Sequence, residues 1–356
     1  MESADNSIHL LSMFTHPVFL VKDGIILGAN HGAQALQIPI NTSVFDLLRS
    51  GQDEYRSFQN GSLSLTVGVG PINMVAAVFR VAGTDYFHLL CGNEATDLQA
   101  LSLASQQLRD PISNIIALTD NLFNQQTAGT TPKDKHRIAQ LNQNLHRLLR
   151  SVGNMSDINQ YSISASNKEY WNIGAIITDA VETAKQQIRG TGHQIEFTAE
   201  NDEAAGLADR DMLERAVYNM LSNAIRHGDP NGTITASVRC SKKVIRFTVE
   251  NSCKEMTADQ LGSIFFRYRR TPSVTDGNTG HGLGILIIQS VASAHNGSVL
   301  VTMPERGRIR FCLTIPVMQD KRGTLRSPSL RPDYTGGYNR SLIELSDVLP
   351  SDNYLK

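Results

Sequence analysis

Residues 212–228 read Met-Leu-Glu-Arg-Ala-Val-Tyr-Asn-Met-Leu-Ser-Asn-Ala-Ile-Arg-His-Gly, and no other stretch of the chain constrains its fold as much. Leu213, Val217, Leu221 and Ile225 recur every fourth position, the buried stripe of a helix. Asn219 and Asn223, also four apart, share one face of that helix. Further along, Gly280-His-Gly-Leu-Gly-Ile285 leads into an apolar helix that ends at His295-Asn-Gly297. Glycines in front of a helix let backbone N–H groups approach an anion at the positive end of the helix dipole. An asparagine pair alone usually means capping or surface polarity, and the glycine box that follows argues against that here. A Rossmann turn uses similar glycines but needs a strand before them and an acidic residue about 20 positions on. The segment before this box, residues 270–279, is polar and loop-like instead.

The whole chain sets the bounds. Its 356 residues suffice for about two or three domains with their own cores. Lys and Arg total 33 against 34 Asp and Glu, a net charge of −1, so no basic excess points to nucleic acid. No apolar run approaches the length of about 18 residues that spans a bilayer, and no signal peptide is visible. Cys91, Cys240, Cys253 and Cys312 have neither metal-ligand nor disulfide spacing. Reduced thiols and a cytoplasmic location are expected.

Residues 1–95 carry a strand–turn–strand signal, Pro17–Val21 and Ile25–Leu27 about Asp23-Gly24, then a short helix over 29–36. Three strand-like runs follow at 62–67, 74–79 and 86–90. This order resembles a PAS sensor domain; some other small α/β domain is the alternative. His16, His31 and His88 lack metal or haem spacing and read as structural.

Residues 96–157 read as two long helices. Leu98, Leu101, Ser105, Leu108, Ile112, Ile115, Thr119 and Leu122 step by three and four along the first. Ile138, Leu141, Leu145, Leu148, Val152 and Met155 do so along the second. A helical hairpin with such a heptad seam buries little by itself, so pairing of two copies into a four-helix bundle is expected, making a homodimer. Residues 171–317 form the α/β part that holds both boxes. Residues 318–356 lose periodicity and gain Arg, Ser, Pro and Gly, which reads as a disordered tail. Within it, 341–349 is an amphipathic stretch that docks on a partner, docks on its own chain or is inert.

The two boxes, in this order, resemble the ATP-binding domain of sensor histidine kinases, a Bergerat fold of the GHKL superfamily. The expected architecture is therefore multidomain α+β: a PAS-like domain, a dimerisation hairpin and an α/β-sandwich ATP-binding domain. The resemblance implies ATP and Mg²⁺ as cofactors. Asn223 takes the place of the asparagine whose side-chain oxygen binds Mg²⁺, a hard cation suited to oxygen ligands. Asn219 matches the first asparagine of the box. Arg226 stands where a basic residue lies near phosphate, and His227 replaces an aromatic that stacks on adenine. Arg267 and Arg270, at the opening of the lid-like segment, are phosphate candidates. Gly280, Gly282, Leu283 and Gly284 complete the nucleotide set.

Two departures qualify the resemblance. The family's Asp-x-Gly-x-Gly is Asn251-Ser-Cys253-Lys-Glu255 here. Asn251 retains an acceptor without the charge, the two side chains restrict the backbone, and Glu255 adds a negative charge. ATP binding is expected to be weaker than in an intact member, or lost. In the hairpin, Ser105-Gln-Gln-Leu-Arg-Asp-Pro111 matches Ser-His-Glu-Leu-Arg-Thr-Pro, so Gln106 replaces the phosphoacceptor histidine. Gln107 replaces the acidic base and Asp110 the threonine of phosphatase action, while Pro111 keeps the kink. A delocalised amide is a far poorer nucleophile than imidazole.

The reading that follows is a two-component-type signalling protein without ordinary autophosphorylation, acting as an ATP-responsive dimeric regulator. Its partner would be a response regulator or another signalling protein. The alternatives are an active kinase, using His136, His146 or a partner's Ser or Thr with Glu214 as base, and a scaffold that binds no nucleotide.

Overall fold

The computed structural model describes residues 16–90, 132–163, 168–200, 204–265, 283–317 and 339–355, with Leu11, Phe14, Leu108, Ile112, Ile115, Ile116 and Thr119. It divides into two compact units. One joins Met1–Glu94 to Lys254–Pro316, and the other joins Ala95–Cys253 to Val317–Lys356. This grouping by packing cuts across the sequence division, because the last third of the expected nucleotide domain packs with the N-terminal strands.

The first unit opens with the hairpin of β1 (Val18–Lys22) and β2 (Ile25–Ala29). Asp23 and Gly24 both have positive φ, 51° and 78°, as a type I′ turn requires. Helix α1 (His31–Ala35) is capped by Asn30, whose side chain accepts from the Ala33 amide. Helix α2 (Gln52–Arg56) precedes β3 (Ser62–Val69), β4 (Ile72–Val81) and β5 (Thr84–Leu90). Phe19, Val21, Leu63, Leu65, Val67, Val78, Phe87 and Leu89 form the core under this sheet.

The second unit contains a long helix, α3 (Pro132–Ile163), and a two-stranded sheet of β6 (Glu169–Asn172) with Ala205–Ala208. Helix α4 (Ile173–Gln187) is capped by Asn172 and buries Ile173, Ile176, Ile177, Ala180, Val181 and Ala184. Strands β7 (Gln194–Glu200) and β8 (Ala205–Ala208) lead to α5 (Arg210–His227), whose cap is Asp209. Strands β9 (Thr233–Cys240) and β10 (Val244–Ser252) follow. The order is β10-β9-β7, with β9 antiparallel to β10 and parallel to β7. Ile234, Ala236, Val238, Ile245, Phe247 and Val249 alternate along β9 and β10 and are buried on one face, where α4 and α5 pack. That makes an α/β layer of the expected kind.

The chain then returns to the first unit. Helices α6 (Ala258–Gly262) and α7 (Leu283–Ala294) precede β11 (Ser298–Thr302) and β12 (Arg308–Pro316). Strand β11 pairs antiparallel with β3, so the sheet of this unit runs β2-β1-β5-β4-β3-β11-β12. The alternation in β3 suggests one wet face, yet every residue of the strand is buried. Its leucines and Val67 face the N-terminal core. Its hydroxyls face α7, where Gln289 Nε2 donates to Ser64 Oγ at 2.9 Å and Thr66 and Ser293 hydroxyls lie 3.2 Å apart.

The expected disorder of 318–356 does not hold for its end. Residues 339–355 form helix α8 (Arg340–Glu344) and a terminal turn at Ser351–Tyr354, packed on the second unit. Their composition is polar, but Leu342, Ile343, Leu345, Leu349 and Tyr354 are all buried. Among the described residues, no helix is long and apolar enough to cross a membrane.

Candidate functional site

Helix α5 is positioned from its apolar stripe outward. Leu213, Val217, Leu221 and Ile225 are all buried, as their spacing predicts. The two asparagines differ sharply. Asn219 has no exposed surface. Its Nδ2 donates to the Arg215 carbonyl at 2.8 Å and to Glu344 Oε2 at 3.3 Å, and its Oδ1 accepts from Arg150 Nη2 at 3.0 Å. It therefore serves as a structural amide, turned toward Arg150 and Glu344. Asn223 is half-buried, and its buried Nδ2 has no hydrogen-bond partner among the described residues. A buried amide without a partner costs about 1–3 kcal/mol unless something else satisfies it. Rotation about its last torsion exchanges nitrogen and oxygen, so the same position can present an acceptor. The residue thus fits the part expected of it toward a hydrated cation.

At the C-terminal end of α5, the Arg226 guanidinium pairs with Asp347 at 2.7 Å. His227 is exposed, and desolvation by the protein around it, with Arg226 alongside, lowers its pKa. Gly228 ends the helix. A Cβ there would lie 2.6 Å from the Ala224 carbonyl oxygen, so the close approach excludes any larger residue. Asn251, on β10, is buried, and its Nδ2 donates to the Ser252 carbonyl at 2.6 Å. That bond fixes the oxygen as the remaining end of the amide, the acceptor expected of it. Beside it, burial and Asp229 raise the Cys253 thiol pKa, which keeps it protonated.

In the other unit, α7 begins at Leu283, directly after the glycine box. Leu283, Ile287, Ile288, Val291 and Ala292 are buried, and Gly284 lies in the first turn. Gly297 is required after it, because a Cβ would lie 2.2 Å from the Thr314 carbonyl oxygen. Glu255 is exposed and forms an ion pair with Arg306, so its charge is compensated locally. Gln106, Gln107, Asp110, Pro111, Arg267, Arg270, Gly280 and Gly282 lie outside the described residues.

Two histidines of the second helix differ from each other. His136 is exposed, with Asp352 3.9 Å away. His146, the other candidate acceptor, is buried against the Tyr354 ring with its Nδ1 2.8 Å from the Asn142 carbonyl oxygen. Glu214, the candidate base, is bound by Arg210 at 2.6 Å and Arg340 at 2.9 Å. Among the described residues, no cluster of three His, Cys, Asp or Glu forms a metal cage.

The sequence reading missed the charged network around this helix. Arg150 of α3 bonds Ser222 at 3.2 Å, Asn219 at 3.0 Å and Asp347 at 2.8 Å. Arg215 bonds Glu344 at 2.9 Å and Asn154 at 2.7 Å. The visible signal was the amphipathic stretch 341–349. Arginines on helices gave none, because most such residues are solvated.

Residues 208–319 match the family described as histidine kinase-, DNA gyrase B- and HSP90-like ATPase. Sensor histidine kinase CusS of Escherichia coli K12 is 28% identical over 218 residues, covering 60% of this chain and 44% of that protein. Sensor histidine kinase ZraS of Salmonella typhi is 29% identical over 217 residues, again 60% and 44%. The chain thus spans less than half the length of these relatives. Full-length ShkA in complex with AMPPNP shares the fold, with a TM-score of 0.50 and 19% identity over 62% of this chain and 46% of that one. The asparagine helix, the glycine-box helix and these relatives agree: residues 208–319 form a domain of the histidine kinase-, DNA gyrase B- and HSP90-like ATPase type, and the chain is similar to sensor histidine kinases over 60% of its length.

Proposed function

We propose that this protein is a dimeric two-component signalling component that binds ATP with Mg²⁺ and responds to it by conformation, without ordinary autophosphorylation. The observation that carries the nucleotide half is Asn223. Of the pair, it is the asparagine whose amide nitrogen finds no partner among the described residues, and the resemblance aligns it with the family's metal ligand. Asn251 supports the same reading, since its oriented amide oxygen suits an adenine amino group. Mg²⁺ would supply charge neutralisation of the phosphates. Asn223 would orient the ion, while Arg267, Arg270 and the amides of the glycine box would hold phosphate. The loss of phosphotransfer rests on Gln106, which has no nitrogen lone pair of imidazole basicity.

Dimerisation is supported by the seam. Ile112, Ile116, Leu149 and Val152 pack together with Ile343. Leu108, Ile115, Leu141 and Leu148, seven apart on each helix, are left 46–53% exposed. That spacing is the face a second copy would cover. An N-terminal PAS-like sensor and a response regulator or other signalling partner complete the proposal.

The test is purified protein with Mg²⁺ and γ-labelled ATP beside Asn223→Ala. Binding without label, lost in the variant, supports the proposal. Acid-labile label on the wild-type chain overturns the regulatory part and directs attention to His136, the exposed histidine. Absence of binding leaves a scaffold, a reading favoured by the engagement of Asn219, Glu214 and Arg226 with other parts of the protein.

A further inference from the structure

The C-terminal residues 339–355 touch α3, α4 and α5 and close no sheet. They are held by ion pairs, hydrogen bonds and a few apolar contacts to these helices. Arg340 bonds Asp211 and Glu214 on α5, at 2.8 and 2.9 Å. Glu344 sits between Arg150 and Arg215. Asp347 receives Arg150 at 2.8 Å and Arg226 at 2.7 Å, with Arg147 at 3.8 Å. Gln143 of α3 donates to the Ser346 and Leu349 carbonyls at 3.1 and 2.6 Å. Asn353 donates to the Gln187 carbonyl at the end of α4, at 2.9 Å. Leu342, Ile343, Leu345 and Leu349 supply the apolar contact.

We propose that the surface shared by α3, α4 and α5 is a docking site for an acidic amphipathic segment. The chain fills it with its own residues 339–355, and departure of that segment frees both α3 and Arg226.

Three physical points carry this. The adhesion is charge-rich: four arginines, 147, 150, 215 and 226, meet two carboxylates, 344 and 347. Ion pairs of this kind gain little over their hydrated parts, because the desolvation penalty offsets most of the attraction. A segment held so loses little ion-pair energy on leaving, and its main cost is exposing Leu342, Ile343, Leu345, Leu349 and Tyr354. The arrangement also bridges two elements. Arg150 reaches from α3 to Ser222 and Asn219 of α5 while holding both acids, so the segment fixes one helix against the other. Finally, the segment occupies the very side chains that a nucleotide or phosphoryl reaction on α5 would use, Arg226 and Glu214. The Asp347 carboxylate stands where a phosphate oxygen would compete for the Arg226 guanidinium. The inference rests on the nucleotide reading only for this last output.

The experiment uses the full chain as wild type, Asp347→Asn, and Glu344→Gln combined with Asp347→Asn. Amide hydrogen exchange is followed along the chain, and ATP affinity is measured on the same samples. The expected result is exchange about tenfold faster in 341–355 and α3 of the double variant, with β9 and β10 unchanged, and a smaller change in the single variant. ATP affinity should rise about threefold or more once Arg226 is released. Unchanged exchange in both variants overturns the proposal, and so does acceleration spread evenly over the unit, since the segment would then be an ordinary part of the core. Faster exchange with unchanged ATP affinity also overturns it. If no form binds ATP, the nucleotide reading fails separately, and exchange alone decides the docking.

Discussion

Two arginine–carboxylate networks in this protein look alike on paper and differ in construction. In the first unit, Arg80 donates to Asp85 from Nε at 2.5 Å and Nη2 at 2.8 Å, while the Tyr55 hydroxyl donates to the same carboxylate at 2.8 Å. Arg80 and Asp85 are register partners across the β4–β5 hairpin, so the pair forms locally. Burial and Asp85 push the Tyr55 pKa up, which keeps its donor proton in place. In the second unit, Arg150 and Arg215 meet Glu344 and Asp347, more than 120 residues away in the chain. The first network is woven into a sheet and cannot leave it. The second is closed by a segment that can. Similar bonds therefore serve permanence in one place and reversibility in the other.

Removing a carboxylate from each network is the direct way to break this contrast. Asp85→Ala should have the largest effect. It leaves the buried Tyr55 hydroxyl without its acceptor and the partly exposed Arg80 without its partner, and about 2–3 kcal/mol of stability should be lost in denaturant unfolding. A loss under about 1 kcal/mol would erase the distinction. Glu344→Gln should cost less, about 1–2 kcal/mol, because lifting of 339–355 hydrates Arg150 and Arg215 and caps the penalty. Hydrogen exchange in that variant should change locally; global destabilisation matching Asp85→Ala would contradict the contrast.

Smaller effects sharpen it. The Glu255–Arg306 pair is exposed on both sides, 60% and 85%, so Arg306→Ala should shift the unfolding midpoint by less than about 0.5 kcal/mol. His227 should contribute a slight pH dependence. Its folded pKa is lowered, so the unfolded chain takes up the proton first as pH falls. Stability conferred by the neutral ring is full above the ordinary histidine range and is lost as pH drops through that range. His227→Gln should flatten the difference between stabilities measured near pH 7.5 and near pH 5.5, around the reference value of about 6.5. A steeper dependence in the variant would refute the assignment.

What was legible in the sequence was what repeats or what backbone geometry demands. The four-residue apolar spacing located α5, and Asp-Gly located the first hairpin. The asparagine box set Asn219 and Asn223 together on one helix face as ligand candidates. It could not distinguish Asn219, whose partners come from α3 and from the far end of the chain. His146 looked like any polar residue on a helix until Tyr354 was placed over it. The order of 339–355 was hidden for the same reason: each of its contacts is made with residues at least 120 positions away or with itself, and local composition reports only how a segment behaves alone. The pairing of β3 with β11 left no trace either, since edge pairing is a property of two strands and neither one announces its neighbour.

That pairing has a mechanical consequence. Strand β3 presents leucines to one side and hydroxyls to the other, and α7 reads the hydroxyls through Gln289 and Ser293. Sliding the strand by one residue would set leucine against the Gln289 amide and bury serine in an apolar core, so that position is forbidden. Only displacement by a whole two-residue repeat restores the chemistry. The strand thus sits in a register that suits both its faces, and the helix beginning at Leu283 is keyed to that register as a tooth is to its slot.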